Sequence, residues 1–168
     1  MSSADGYFVR TAGRRDLPAI RALLVETWHD TYDAVYGATR VTQITDDWHS
    51  LRALEVRLDN PNSEFLVADN GTALGGTAFA CAEDGGRTVM LRQLYVRPAC
   101  QGQGIGTALL GEIEASFPEA RDIRLEVEEA NEGALRFYAM HGFSRIGETG
   151  NCGTDASGMP ALILGKSL

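Results

Sequence analysis

The 168-residue sequence has little of what marks a stapled, metal-built or membrane-embedded protein. It has three cysteines, Cys81, Cys100 and Cys152, widely spaced and with no CxxC pair. Neither a disulfide framework nor a zinc site is expected, and no other metal. Cys81 is assigned to a core strand, and Cys100 and Cys152 read as reduced bystanders, with a catalytic thiol at either as the less common alternative. No apolar run approaches the roughly 20 residues of a membrane span. The opening MSSADGYFVR lacks a secretory h-region. The expectation is therefore a cytoplasmic protein with no membrane partner. Basic residues are scarce: 15 Lys and Arg against 23 Asp and Glu give a net charge of −8. Nucleic acid, which needs basic surface, is not expected as a partner, whereas a cationic small molecule suits that field. Internal repeats and low-complexity tracts are absent too. With 44% hydrophobic and 23% charged residues, one globular domain over residues 1–168 is expected. Its core can bury about two-thirds of the unfolded chain's surface.

What is present is organised around residues 91–110, LRQLYVRPACQGQGIGTALL. An apolar run with β-branched and aromatic residues favours a strand, which Pro98 ends because it has no ladder donor. Three alternate glycines follow, Gly102, Gly104 and Gly106, and then a helix with Ile105, Ala108, Leu109 and Ile113 on one stripe. A strand, a glycine turn and a helix N-terminus together suit a phosphate. The glycines expose backbone N–H groups and the helix dipole favours the anion.

The rest of the chain surrounds this unit. Residues 7–11 predict a short strand. A helix is predicted from Asp16, its N-cap, with Pro18 in the first turn and Leu17, Ile20, Leu24, Trp28, Thr31 and Val35 on one face. Tyr32 and Tyr36 continue the Trp28 column at the rim of that face. Gly37 ends this helix, and a shorter one is predicted from about Asp46 to Pro61 with Trp48, Leu51, Leu54 and Leu58 apolar. His29 and His49, without metal-like spacing, read as surface residues, each still available as a proton acceptor. Strands are predicted at 63–68, 72–82 and 88–97, joined by Asp69-Asn70-Gly71 and a Gly85-Gly86 turn into an antiparallel meander. Gly75 and Gly76 imply a bulge or a close backbone approach. Residues 122–128 alternate Ile123, Leu125 and Val127 inward and, after a helical crossover, should run parallel to the preceding strand. Asn131 caps a last helix, stopped by Gly142. Strands at 143–147 and 160–164 flank a mobile loop rich in turn residues. The fold class is α+β, with a mixed sheet.

Three phosphate-binding patterns compete for the glycine turn. A P-loop needs GxxxxGK[ST], and no lysine follows Gly106. A GxGxxG fingerprint begun at Gly102 meets Thr107, and one begun at Gly104 meets Leu109. The third pattern, [RQ]xxGx[GA], fits Gln101-Gly102-Gln103-Gly104-Ile105-Gly106 after Leu94-Tyr95-Val96-Arg97-Pro98. With NEGALRFYAMHGF downstream, carrying Asn131, Ala134, Phe137-Tyr138 and Gly142-Phe143, the sequence resembles the GNAT superfamily of N-acetyltransferases over residues 65–143.

That resemblance implies a mostly antiparallel sheet with flanking helices and a splayed central parallel strand pair. It implies acetyl-CoA as cosubstrate. The pyrophosphate would be held by Gln103, Gly104, Ile105, Gly106 and Thr107, with Gln101 and Gly102 beside them and Asn131 in the second signature. Pantetheine would run along Leu94, Tyr95 and Val96, with an irregularity near Tyr95 offering an N–H to the thioester oxygen. Tyr138 matches the position of the general acid for the CoA thiolate. Met90 stands where histone-type members carry a glutamate base, so the base is left among Glu83, Asp84, Glu126 and Glu128, none singled out. Trp28, Tyr32 and Tyr36, with the loop around Cys152, would shape the acceptor site. The acceptor is read as a small cationic or amino-acid-like amine. The alternatives are a protein or peptide N-terminus, or a CoA-binding sensor without catalysis. A homodimer is a further expectation from the family.

Overall fold

The computed structural model describes residues 3–4, 6–153 and 157–168, and its backbone gathers into two compact units. The first takes the chain up to Ala80 and again over Gln93–Ser116; the second takes Cys81–Arg92 and Phe117–Leu168. The first holds strands β1 (Ser3–Ala4), β2 (Tyr7–Thr11) and β3 (Ser63–Asp69) and helices α1 (Leu17–Tyr36), α2 (Ala38–Trp48) and α3 (Leu51–Leu58). It also holds most of β4 (Leu74–Glu83), the end of β5 (Thr88–Val96) and all of α4 (Ile105–Ser116). Strands β6 (Asp122–Val127), β7 (Ser144–Thr149) and β8 (Ala161–Ser167) and helix α5 (Glu132–Met140) lie in the second, with the start of β5.

Neighbouring strands run β1-β2-β3-β4-β5 in the first unit and β5-β6-β8-β7 in the second. The predicted parallel pair is present: β5 meets β6 from Thr88↔Asp122 to Leu91↔Leu125. That ladder ends at Leu91, while β5 continues to Val96. β2 with β3, β6 with β8 and β7 with β8 are antiparallel. The protein is therefore a mixed, mostly antiparallel α+β fold. In β6 the expected alternation holds, with Ile123, Leu125 and Val127 buried and Arg124 exposed.

The helices correct three expectations. Asp16 does stand at the N-cap of α1, but its carboxylate makes no cap bond. It accepts instead from Arg10 Nη1 and Nη2, both at 2.8 Å, and from the Gly13 N–H at 2.7 Å, which closes a 3-10 turn over Arg14–Asp16. The buried face of α1 follows the predicted stripe to Trp28 and then shifts, taking Thr27 and Tyr32 while Val35 is exposed. An aromatic ring that stacks at i+4 buries more apolar area than Thr31 or Val35 can. The single helix predicted from Asp46 is two. α2 begins at Ala38 because Val41, Ile44 and Thr45 form a buried stripe, despite a β-branched run of low helix propensity. α3 restarts at Leu51 because Ser50, in extended conformation, accepts the Ala53 N–H at 3.1 Å.

Gly75 and Gly76 mark a close approach, as expected. A Cβ on Gly75 would lie 2.6 Å from the Tyr7 ring, and one on Gly76 would lie 2.9 Å from Ile105 Cγ2 and from Leu109 Cδ1. α4 therefore seats directly on the backbone of β4. In the loop between β7 and β8, residues 154–156 lie outside the described residues.

Candidate functional site

The glycine turn begins where β5 ends. The Arg97 N–H donates to the Gly75 carbonyl at 2.8 Å, and Pro98–Cys100 forms a 3-10 turn. The Gln101 side-chain amide donates back to the Val96 carbonyl at 3.2 Å. Gly102 and Gly104 have φ of +79° and +83°, a left-handed conformation that only glycine adopts at little cost. The Ala108 N–H donates to the Gly104 carbonyl at 3.0 Å, so Gly104 opens the helix. The amides of Ile105 and Gly106 then have no partner within α4. A Cβ on Gly102 would meet nothing within 4 Å, so the ground beside the turn is open. Ile105 is buried against Gly75 and Gly76, which fixes where the helix starts. Gln103 is half-buried and Thr107 exposed. Leu94, Tyr95 and Val96, half-buried on β5, lead into this turn within the same unit. These residues fit the cofactor read from the sequence: a strand that runs on past its ladder with β6, then a helix N-terminus for an anion.

The expected acceptor residues are brought together in that unit as a chain of rings. Trp28 lies 4.6 Å from Tyr32, and Tyr32 lies 5.8 Å from Tyr36, between ring centroids. Trp48 packs edge-on to Trp28 at 5.6 Å. His49 joins the rings to β5, 5.8 Å from Trp28 and 6.5 Å from Tyr95.

His49 is the largest correction to the sequence reading. It is 4% exposed, not a surface residue. The Arg57 guanidinium donates to His49 Nδ1 at 3.1 Å, to Gln93 Oε1 at 2.8 Å and to the Trp48 carbonyl. Arg21 donates to the His49 carbonyl at 2.8 Å. A guanidinium has no acceptor, so Nδ1 accepts and the imidazole proton sits on Nε2. Burial, then the Arg57 and Arg21 charges, push the His49 pKa down to about 3, so the ring is neutral at physiological pH. His29, by contrast, is only partly covered and lies 2.6 Å from Asp33. Arg57 and Gln93 had no motif to reveal them. The available signal was Gln93, a polar residue on the inward face of β5 that Val89 and Leu91 define.

In the second unit Tyr138 is buried, its ring 5.3 Å from Phe137 and 5.3 Å from Phe143. Asn131 caps α5 as expected, accepting the Ala134 N–H at 3.2 Å. Of the four candidate bases, Glu83 is paired with Arg92 at 2.7 Å and Asp84 is exposed in a tight turn. Glu126 accepts the Gly153 N–H at 3.0 Å, and Glu128 is buried. Burial, Glu126 and Glu128 push the Cys152 thiol up to about 12, so it stays protonated and is no nucleophile at neutral pH. Among the described residues, no group of three or more His, Cys, Asp or Glu could hold a metal ion. No described helix is long and apolar enough to cross a membrane.

The chain has relatives of known kind. The model of the Acetyltransferase (GNAT) family matches residues 18–143. N-alpha-acetyltransferase RimI of Mycobacterium tuberculosis (strain ATCC 25618 / H37Rv) is 33% identical over 108 residues. That match covers 62% of this chain and 66% of RimI, just under two thirds of the relative's length. PaiA N-acetyltransferase from Thermoplasma acidophilum, solved in complex with coenzyme A, shares the fold at TM-score 0.84 and 24% identity, covering 100% of both chains. Ribosomal-protein-alanine N-acetyltransferase from Brucella melitensis shares it at TM-score 0.72 and 23% identity, covering 96% of this chain and 99% of that one. Because the family match takes in most of the sequence, the protein belongs to the Acetyltransferase (GNAT) family.

Proposed function

We propose that the protein transfers the acetyl group of acetyl-CoA directly to the amine of a small amino-acid-like or cationic acceptor. The observation that carries this reading is the left-handed Gly102 and Gly104 turn, which opens α4 at the end of β5. Acetyl-CoA supplies an activated thioester carbonyl. The main chain around Gln101, Gly102, Gln103, Gly104, Ile105, Gly106 and Thr107 binds its pyrophosphate through backbone N–H groups and the helix dipole. Leu94, Tyr95 and Val96 hold the pantetheine arm, and a main-chain N–H of that strand stabilises the charge that develops on the thioester oxygen. Asn131 supports the cofactor by fixing the start of α5. Trp28, Tyr32 and Tyr36 present aromatic faces to the acceptor.

Tyr138 is the general acid for the departing thiolate. A phenol with a solution pKa of about 10 holds its proton at neutral pH and can release it to a thiolate formed beside it. Tyr138→Phe is expected to lower kcat by about 10²-fold or more while leaving acetyl-CoA affinity within a few-fold. Titration calorimetry with acetyl-CoA and thiol release with an amine panel measure the two separately. Equal turnover by wild type and variant across the pH range would remove Tyr138 from the mechanism.

A second reading, acetylation of a protein N-terminus, is favoured by the 33% identity to RimI over 108 residues. Thiol release with peptides, set beside the free amines, decides between the two. Tight acetyl-CoA binding with no thiol release from any acceptor would favour a sensor.

A further inference from the structure

Four side-chain nitrogens in the first unit are buried and have no hydrogen-bond partner among the described residues: Trp28 Nε1, His49 Nε2, Gln93 Nε2 and Arg97 Nε, the last of which is ion-paired with Glu26 at 3.3 Å. Trp28, His49 and Gln93, which have no such counter-charge, are 3%, 4% and 5% exposed. They are not scattered. The rings of Trp28 and His49 lie 5.8 Å apart, and His49 and Gln93 are both held by Arg57 Nη1. An unmet buried donor is destabilising, and three in one connected group need an explanation. Native interiors tolerate such groups chiefly where a ligand, an ion or an ordered water completes them.

The donor set narrows the chemistry of that partner. The indole nitrogen only donates. The imidazole Nε2 carries the proton, because Nδ1 accepts from Arg57. Gln93 Nε2 is the amino side of the amide, because Oε1 accepts from Arg57. All three are therefore donors. Water matches them poorly: it offers two lone pairs and brings two hydrogens of its own. The carbonyls of Thr45, Trp48 and His49 already accept from Arg21 and Arg57. A carboxylate brings about four lone-pair sites and no hydrogen. The charge agrees, because Arg57 and Arg21 both oppose protonation of His49 and so make its surroundings positive inside a chain of net charge −8. A cationic group would be disfavoured there. The free amine of the acceptor belongs instead beside the thioester, and His49 already contacts Tyr95 on the strand read as the pantetheine rail.

We propose that the N–H groups of Trp28, His49 and Gln93 bind the carboxylate of the acceptor, making the substrate class amino acids rather than polyamines or peptide N-termini. This rests on the acetyltransferase reading and narrows it. The group selects the acceptor and orients its amine; it takes no part in bond making.

The test uses the full chain with acetyl-CoA and acceptors in matched triples: L-phenylalanine, L-methionine, L-lysine and L-glutamate, each with its α-carboxamide and its decarboxylated amine. At least one free acid is expected to exceed both of its partners tenfold or more in kcat/KM. Gln93→Glu keeps an oxygen for Arg57 and removes the donor, so the fold is retained while a negative charge faces the carboxylate. The ratio of kcat/KM for the acid to that for the amine should fall at least tenfold, mainly through KM. A separate readout needs no turnover. The chain has two tryptophans, and the Trp28 indole N–H resonance should move downfield with the acid and stay in place with the amine. A carboxamide or amine as good as its acid overturns the proposal and leaves acetyl transfer standing, as does an unmoved acid-to-amine ratio in Gln93→Glu. No thiol release with any triple overturns the proposal, and release with peptides alone would assign the site to N-termini. Failure to bind acetyl-CoA removes the acetyltransferase reading itself.

Discussion

At the scale of single residues, His49 is neutral in the fold because burial and two nearby guanidinium groups all oppose its protonation, and this links stability to pH. In the unfolded chain an imidazole titrates near ~6.5, whereas in the fold the value is about 3. Below ~6.5 the unfolded state therefore binds more protons than the native state, and stability falls as pH drops toward 3. At pH 5 the loss from this one group is of order 2 kcal/mol, since one pKa unit is about 1.4 kcal/mol. Asp16 acts in a different window. Its carboxyl is held below the usual range chiefly by the Arg10 hydrogen bonds, so its contribution is lost only as pH falls through that lowered value. Urea unfolding at pH 7 and pH 5 separates the two. The wild-type midpoint should fall between these values, and His49→Phe should flatten that fall while leaving the loss at lower pH. An equal pH 5 to 7 slope in the variant would mean that His49 is not the group responsible.

At the scale of elements, the seat of α4 on β4 ties the fold to the glycine turn proposed to hold the cofactor. Any side chain on Gly76 meets Ile105 and Leu109 and also the Tyr95 carbonyl at 3.0 Å, which is backbone and cannot swing away. Gly76→Ala should cost about 1–3 kcal/mol by overpacking, or about 2–4 °C in Tm per kcal/mol for a chain of this size. It should also weaken acetyl-CoA binding, because Ile105 opens the helix whose first turn we propose as the pyrophosphate site. Thermal melts and calorimetry check both, and an unchanged Kd beside a lowered Tm would separate the seat from the turn. This region was readable in the sequence because its demands are local. Positive φ at Gly102 and Gly104 and a Cβ-free contact at Gly75 and Gly76 each require glycine, and glycine is visible in a string of letters. α2 was missed for the opposite reason: ATRVTQITDDW has weak helix propensity and is held by its buried stripe. His49, Arg57 and Gln93 were missed because they lie 8 to 44 positions apart in sequence, with no spacing that a local period can register.

At the scale of the whole molecule, the question is whether two compact units unfold as one. Their division does not follow the order of the chain: β4 and β5 each begin in one unit and end in the other. Melting either unit alone would break both of these strands partway along their length. We therefore expect one cooperative domain over residues 1–168, with two-state unfolding. The sequence supplies separate reporters. Both tryptophans, Trp28 and Trp48, belong to the first unit, so intrinsic fluorescence follows that unit alone. Amide exchange in β6 and β8, through Ile123, Leu125 and Leu164, follows the second. Fluorescence and exchange midpoints in urea should coincide, and acetyl-CoA should raise both by the same free energy, since a ligand that binds only the native state stabilises the whole cooperative unit. If acetyl-CoA shifted the fluorescence transition and left exchange in β6 and β8 where it was, the chain would be two domains. The Gly102 and Gly104 turn and Tyr138 would then sit on pieces able to unfold independently.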